Sequence, residues 1–423
     1  MKPLTSSSSI RAREYLPAVN EDQSRACHAL TPRAALRFVV AFGVVSLFAD
    51  MAYEGMRSIA GPYLALLGAG SAVVGVVAGA GELLGYTLRL ASGSLADRAR
   101  VYWPMTLAGY AVQMAAVPAL ALTTRWPAAA ALIILERIGK ATRNPPRNVM
   151  LSRAGETIGQ GWAFGLHEAL DQTGALLGPL VAALVLAVRH DYRSAFAWLL
   201  VPAAMTLLLV LGVRLRYASA GRIVAPPAQR VGDQRHLPPA FWWYTLGAAL
   251  VAFGFADYAL VSYHFTVAHT VPGTLVPLLY ALAMGAGGAG SLVAGRSYDR
   301  RGLIVLLPYT LVGAAYAPLV FLGGLGAALA GTLLWGFSLG VHEALMSAAV
   351  SDMVLVQRRA RAYGLFTALF GIAWFAGSAL LGAVYARSVL ATTLIATLAQ
   401  TLALLPIGLA VAARARALTP VPN

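Results

Sequence analysis

The sequence holds one cysteine and few charged residues. Because Cys27 has no partner, an intrachain disulfide and a cysteine metal site are excluded. Walker, His-Glu-x-x-His and Gly-x-Ser-x-Gly sequences are lacking as well, which argues against ATP hydrolysis, a catalytic metal and hydrolase chemistry. We therefore expect a protein that is not an enzyme and that has no cofactor and no metal.

Long apolar segments are what the sequence has instead. Hydrophobic residues make up 59% of the chain and charged residues only 12%, a surface that a soluble domain could not solvate. A membrane span needs about 20 mostly apolar residues, and on that measure we count about twelve. The predicted spans lie near 35–60, 71–93, 103–124, 127–148, 160–187, 194–213, 241–266, 275–295, 303–323, 327–350, 362–385 and 389–412.

Composition also divides the chain into parts. The first residues are polar, include a serine run and lack the apolar core of a cleaved signal, so we interpret them as a tail. A stretch rich in Arg, Pro and Gly separates the sixth and seventh spans and indicates a linker. The predicted parts are a tail at 1–34, a six-helix bundle at 35–216, a linker at 217–239, a second six-helix bundle at 240–413 and a tail at 414–423.

The positive charge is distributed in a way that indicates orientation. Formal net charge is +15, but the basic residues occupy the N-terminal tail and alternate loops instead of one face, so we expect no nucleic-acid partner. Loops near 68–72, 268–274 and 322–327 carry no Lys or Arg. Cytoplasmic loops are the ones enriched in Lys and Arg, which places both termini and the linker in the cytoplasm. We expect a monomer in the lipid bilayer of a bacterial inner membrane.

Two short patterns recur half a chain apart. Phe48-Ala49-Asp50 returns as Phe255-Ala256-Asp257, and Gly93-Ser-Leu-Ala-Asp97-Arg98 returns as Gly295-Arg-Ser-Tyr-Asp299-Arg300. Repeats at matching places in a two-times-six pattern predict a duplicated membrane bundle.

The second repeat resembles the loop between the second and third spans of the major facilitator superfamily. That resemblance implies an all-α fold of two six-helix bundles related by a pseudo-two-fold axis, working by alternating access. It also implies a latch on the cytoplasmic side, which we assign to the gating residues Gly93, Asp97, Arg98, Gly295, Asp299 and Arg300.

The fifth predicted span contains Gly174-Ala-Leu-Leu-Gly178-Pro179. This segment is similar to the core of the glycine-proline motif of proton-coupled exporters in the same superfamily, which favours export. Small residues four positions apart also let two helices approach closely in lipid, and that packing role remains open for Gly174, Gly178 and Pro179.

Ionisable residues inside predicted spans supply the candidate site. Each costs at least ~2.5 kcal/mol near the bilayer centre, so it needs a partner, a water-filled cavity or a function. Most lie in the first half of the chain, which indicates that proton handling or recognition of substrate charge concentrates there. The candidates for proton coupling or substrate binding are Asp50, Glu54, Arg57, Glu82, Glu136, Arg137, His167, Glu168, Asp171 and Asp257.

Structural roles remain open for several of these side chains. Arg57 can neutralise Glu54 one turn away or snorkel to the surface. The basic stretch of the fourth span can pair with Glu168 and Asp171 of the fifth in a static ion network. Its residues are Lys140, Arg143 and Arg147.

Asp50 differs from these because it has no basic residue three or four positions away and lies midway along its span. In the superfamily the first helix of each half commonly lines the central cavity. We therefore expect Asp50 to couple protons to substrate, with Glu168 and Asp171 next and Asp257 weaker.

The sequence thus favours a secondary transporter with proton-coupled export of a small organic solute. Proton-coupled uptake of a small organic anion or metabolite is the main alternative. Arg57 or Arg137 facing the cavity would support that uptake, whereas carboxyls alone would favour cationic or neutral substrates. A non-transporting membrane sensor or assembly protein is the third possibility.

The orientation can be tested with a reporter enzyme that is active only outside the cytosol. A fusion at residue 230 should be silent, because the linker is predicted to be cytoplasmic. A fusion at residue 270, in a loop without Lys or Arg, should be active. Activity at residue 230 would overturn the orientation.

Overall fold

The computed structural model describes residues 31–218, 237–354 and 358–418, and over these residues the chain forms helices joined by short loops, with no strands. The predicted tail at 1–34 and the linker at 217–239 therefore lie mostly outside the described residues.

Six spans form the first bundle. Thr31 caps the first helix with its side chain, which accepts a hydrogen bond from the amide of Ala34 at 3.3 Å. Asp191 caps the sixth span in the same way, accepting from the amide of Ser194 at 2.8 Å. The spans are Pro32–Leu66, Ser71–Ala99, Tyr102–Ala119, Trp126–Ile158, Gln160–Arg189, and the pair Tyr192–Trp198 and Leu200–Arg216.

Six further spans form the second bundle. They are the pair Pro239–Gly254 and Tyr258–Val267, then Val276–Arg301, the pair Leu306–Ala314 and Tyr316–Leu322, Leu325–Met353, Arg359–Tyr385 and Val389–Leu418.

Ten segments of the described residues are long and apolar enough to cross a membrane. One of them, Val276–Leu322, contains both the eighth and the ninth span. The fourth span, Trp126–Ile158, is not among the ten because it carries too many charges. Such a helix can lie in a membrane only if its neighbours shelter those charges.

The seventh span departs from the continuous helix predicted at 241–266. It breaks after Gly254 and resumes at Tyr258, where Asp257 caps the new helix by accepting from the amide of Ala259 at 3.0 Å.

Two aromatic side chains hold the backbone groups freed by this break. The hydroxyl of Tyr316 accepts from the amide of Ala256 at 2.6 Å, and Trp335 Nε1 donates to the carbonyl of Ala256 at 2.8 Å. A break inside a membrane span is tolerated only with such partners.

Short connections make consecutive spans antiparallel within each bundle. We call the face where residues 32 and 418 lie the terminal face, and the opposite one the distal face. The two bundles touch in their distal halves: Ser71 donates to the carbonyl of Gly382 at 2.8 Å, and Gly61 packs directly on the carbonyl of Ala259. The distal side is therefore closed in this conformation.

Glycines let the first and fifth spans pack closely. A Cβ at Gly174 would clash with the carbonyl of Leu47, and one at Gly178 would clash with the carbonyl of Met51. Pro179 is buried next to them.

Replacing Gly178 with alanine should therefore destabilise the protein. The added methyl group meets backbone that cannot move aside, so we expect a loss of about 1–3 kcal/mol, measured as a lower unfolding temperature in detergent. Gly212→Ala is the matched control, because nothing lies within 4 Å of its Cβ position. Equal unfolding temperatures for the two variants would contradict close packing.

Candidate functional site

Arg143 lies at the centre of a polar cluster in the first bundle. It is fully buried, and its Nη2 lies 3.4 Å from Oδ1 of Asp50. Its guanidinium also donates to Oε1 of Gln113 at 2.5 Å and to the hydroxyl of Tyr110 at 3.1 Å. Asp50 therefore has a cation partner on the fourth span, which the lack of a basic residue three or four positions away on its own helix did not indicate.

Asp171 lies beside Asp50 on the neighbouring fifth span. Their carboxyl groups are close enough for their charges to interact, and Oδ1 of Asp171 is buried without a hydrogen-bond partner among the described residues. Two buried carboxyl groups repel each other when both are ionised, and a proton on one of them removes that repulsion. The arrangement is thus chemically suited to hold a proton.

Gln113 connects this cluster to a second one. Its amide nitrogen donates to Oε1 of Glu136 at 2.8 Å while its oxygen accepts from Arg143. Oε2 of Glu136 lies 3.8 Å from Nε of Arg137, whose Nη2 lies 2.9 Å from Oε1 of Glu82. The neutral amide of Gln113, on the third span, therefore joins the cluster around Arg143 to the ion pairs of Glu136, Arg137 and Glu82.

Arg57 links the two bundles. Its Nη2 lies 3.5 Å from Oε1 of Glu82 and 3.3 Å from Oδ2 of Asp257 in the second bundle. Two structural roles that the sequence left open for Arg57 are not seen: its described ion pairs do not include Glu54, and its side chain is only 13% exposed, so it does not snorkel to the surface. Glu54 instead accepts from the hydroxyl of Tyr280 at 2.5 Å, which also bridges the bundles.

Lys140 and Arg147, the other residues of the basic stretch, do not form ion pairs with Glu168 or Asp171 in the described part of the structure. Lys140 Nζ lies 3.6 Å from the centre of the Tyr53 ring, to whose hydroxyl Arg137 donates. Arg147 donates to Oγ of Ser46 at 3.0 Å, and His167 lies 3.1 Å from the same oxygen. The static network expected between the fourth and fifth spans is therefore replaced by contacts to the first span.

A cavity of about 320 Å³ lies between the fifth, eighth and tenth spans. Of the described residues that line it, only Glu168 and Glu343 are charged, and Gln172 donates to Glu168 at 2.9 Å. Glu343 was not among the predicted site residues, because most ionisable residues inside the predicted spans lie in the first half of the chain. Its position in the apolar tenth span was the available signal. The lining residues are Glu168, Gln172, Met284, Gly287, Gly288, Ser291, Gly336, Leu339, Gly340, Glu343 and Ala344.

The predicted gating residues lie at the terminal face. Asp299 and Arg300 are exposed, and Gly93 packs near Pro145, whereas Gly295 has open space around its Cβ position. The side chains of Asp97 and Arg98 lie outside the described part of the structure. A latch formed by these residues remains a prediction.

The described residues contain no group of three or more His, Cys, Asp or Glu side chains that could hold a metal ion.

Comparison with known proteins identifies the family. The sequence model of the Major Facilitator Superfamily matches residues 40–378. The chain belongs to the major facilitator superfamily. Membership indicates secondary transport of a small molecule across a membrane, by a multi-pass protein that is not an enzyme.

Two relatives of this superfamily member show the range of sequence similarity. An uncharacterized protein of Mycobacterium tuberculosis is 40% identical over 363 residues, covering 84% of this chain and 88% of its own. An uncharacterized MFS-type transporter of Methanocaldococcus jannaschii is 25% identical over 356 residues, covering 81% and 87%.

Solved structures share the fold at low sequence identity. A mutant of the peptide transporter POT aligns with a TM-score of 0.72 at 14% identity, covering 89% of this chain and 94% of its own. A mutant of the nucleoside transporter NupG aligns with a TM-score of 0.71 at 13% identity, covering 88% and 99%. The two-bundle architecture is thus shown.

The Glu54–Tyr280 contact provides a test of distal closure. Tyr280→Phe removes a hydrogen bond to a carboxylate and keeps the ring, so the distal side should open more often. We expect a several-fold faster reaction of a cysteine replacing Ala60, in a Cys27→Ser background, with a membrane-impermeant thiol reagent added on the distal side. Ala60 lines a small cavity beside Asp257.

Tyr258→Phe is the matched control, because that hydroxyl donates to the carbonyl of Val276 within the second bundle. An equal increase in the thiol reaction rate in both variants would mean that the Glu54–Tyr280 contact does not hold the bundles together.

Proposed function

We propose that this protein is a proton-coupled secondary transporter that exports a small organic solute. The terminal face is the cytosolic one, in a bacterial inner membrane, because most of the basic loop residues lie in the loops on that face. The described conformation is then inward-facing, since the two bundles meet in their distal halves and close that side. The protein works as a monomer.

The observation that carries proton coupling is the carboxyl pair Asp50 and Asp171 beside Arg143. A proton on one of the two removes the repulsion between them, and its release leaves a second negative charge in a buried site next to Arg143 and Arg147. Proton binding and release therefore change the charge balance inside the first bundle.

A continuous set of contacts can transmit this change to the distal closure. It runs from Asp50 through Arg143, Gln113, Glu136, Arg137, Glu82 and Arg57 to Asp257. If loss of the proton draws Arg143 towards Asp50 and Asp171, the hydrogen bonds of Gln113 and Glu136 must rearrange. The last link, Arg57 to Asp257, joins the bundles, so the equilibrium between the two facing states shifts with it.

The cavity bears on the choice between cationic, neutral and anionic substrates. Its charged lining is carboxylate, whereas Arg57 and Arg137 are held by Glu82 and Asp257 beside a separate small cavity. This charge distribution favours a cationic or neutral solute over the organic anion of the alternative proposal. The Gly174 to Pro179 segment supports export, although its close packing on the first span accounts for it equally well.

Two steps test the proposal. Toxicity and accumulation of compounds from several classes, compared between cells that lack the gene and cells that overexpress it, identify a transported compound. In proteoliposomes Asp50→Asn should then abolish accumulation driven by a pH gradient while retaining substrate binding, because the variant cannot release the coupling proton.

Glu156→Gln is the matched control, since Glu156 is an exposed carboxyl at the end of the fourth span. It should transport like the wild type. A wild-type response of Asp50→Asn to the imposed gradient would exclude Asp50 as the coupling residue, and Glu136 would be the next to test.

A further inference from the structure

Glu343 lies where the large cavity meets a second, smaller one. It lines both, and no described side chain forms a hydrogen bond or ion pair with it. A carboxylate at such a depth is costly without a partner. Its side chain is exposed to the cavity, so water, a proton or a positively charged ligand must satisfy it.

The smaller cavity, which we call the aromatic niche, is lined by Tyr86, Phe255, Phe370 and Trp374 beside Glu343. Ring centres lie 5.5 Å apart for Tyr86 and Phe370 and 5.6 Å apart for Phe370 and Trp374. Aromatic faces attract cations, most strongly where water is excluded. The niche thus adds an attraction for positive charge that is independent of the carboxylate.

The size of the niche limits which cation it can hold. Its volume is about 20 Å³, enough for about one water molecule. An ammonium group is about that size, whereas a trimethylammonium group would have to displace the rings. His342 is the other ionisable residue of the lining, and its Nε2 lies 3.5 Å from the hydroxyl of Thr310.

The large cavity can hold the rest of such a ligand. Its volume of about 320 Å³ lies at the lower end of the range of small-molecule sites, roughly 300–1,000 Å³. Gly287, Gly288, Gly336 and Gly340 form much of its wall, and Glu168 adds a second carboxylate from the other bundle. The wall suits a flat apolar body, and the charges suit a cation.

We infer that this site binds an organic primary amine, with its ammonium group between Glu343 and the rings of the aromatic niche. The inference rests on the proposed function, because it names the substrate class of the same cavity. Glu343 is the counter-ion of the ammonium group, and the small volume of the niche excludes larger cationic groups such as trimethylammonium.

Binding to the purified full-length protein in detergent tests this without any gradient. Equilibrium dialysis, corrected with empty micelles, is run with a series of arylalkylamines that begins with 2-phenylethylamine. Each amine is compared with the corresponding alcohol and with its trimethylammonium derivative. We expect the amine to bind about tenfold or more tightly than either, because only it forms a charge-assisted hydrogen bond in the niche.

Glu343→Gln should remove that preference for the amine and leave the weak binding of the alcohol unchanged. Glu156→Gln, which loses an exposed carboxyl far along the fourth span, should bind like the wild type. The site is overturned if no amine of the series binds more tightly than its alcohol, or if Glu343→Gln keeps the preference.

The outcome separates the site from the proposed function. If the protein binds amines in a way that depends on Glu343 but shows no proton-driven transport, the proposal of proton coupling is rejected and the amine site is retained. Proton-driven transport of other compounds without amine binding would overturn only the site.

Discussion

The buried positive charge of Arg143 imposes the strongest constraint on the first bundle. Its side chain is fully buried, and removing one partner of a buried pair typically costs about 3–5 kcal/mol. Asp50, Gln113 and Tyr110 come from the first and third spans to satisfy it. The relative positions of three spans are therefore fixed by one guanidinium, and the fourth span can carry its many charges because its neighbours supply the partners.

The same requirement extends from the first bundle to the second. Each charge that partners Arg143 or its neighbours needs a further partner, and the sequence of contacts ends at Asp257 on the broken seventh span. Asp257 also caps the helix that begins at Tyr258. One oxygen of this carboxylate thus holds the start of a helix while the other forms an ion pair between the bundles. Closure of the distal face and the electrostatic state of the first bundle are thus physically connected.

The sequence was sufficient to predict the architecture but not the pairing of charges. Hydropathy and the two repeats predicted the fold of two six-helix bundles, because lipid forces each span to be apolar and about 20 residues long. Pairing depends on which helix faces lie together, and local spacing carries no such information. Local spacing therefore offered Glu54 on the same helix as one possible partner of Arg57, while its actual partners lie 25 and 200 residues away. The break in the seventh span was missed for the same reason, since Tyr316 and Trp335, which stabilise it, come from other spans.

In the second bundle, glycines let two spans pack closely and form a wall of the large cavity. A Cβ at Gly336 would clash with the carbonyl of Ala283, and one at Gly340 with the carbonyl of Gly287, so the eighth and tenth spans pack backbone against backbone. A cavity wall of this kind has few side chains that can rearrange, and interfaces packed so closely are not continuously deformable. Any large change in the shape of the cavity must then come from rigid-body movement of one bundle against the other. The contacts that resist such movement are the ones that cross between bundles, and among the described ion pairs only that of Arg57 and Asp257 does so.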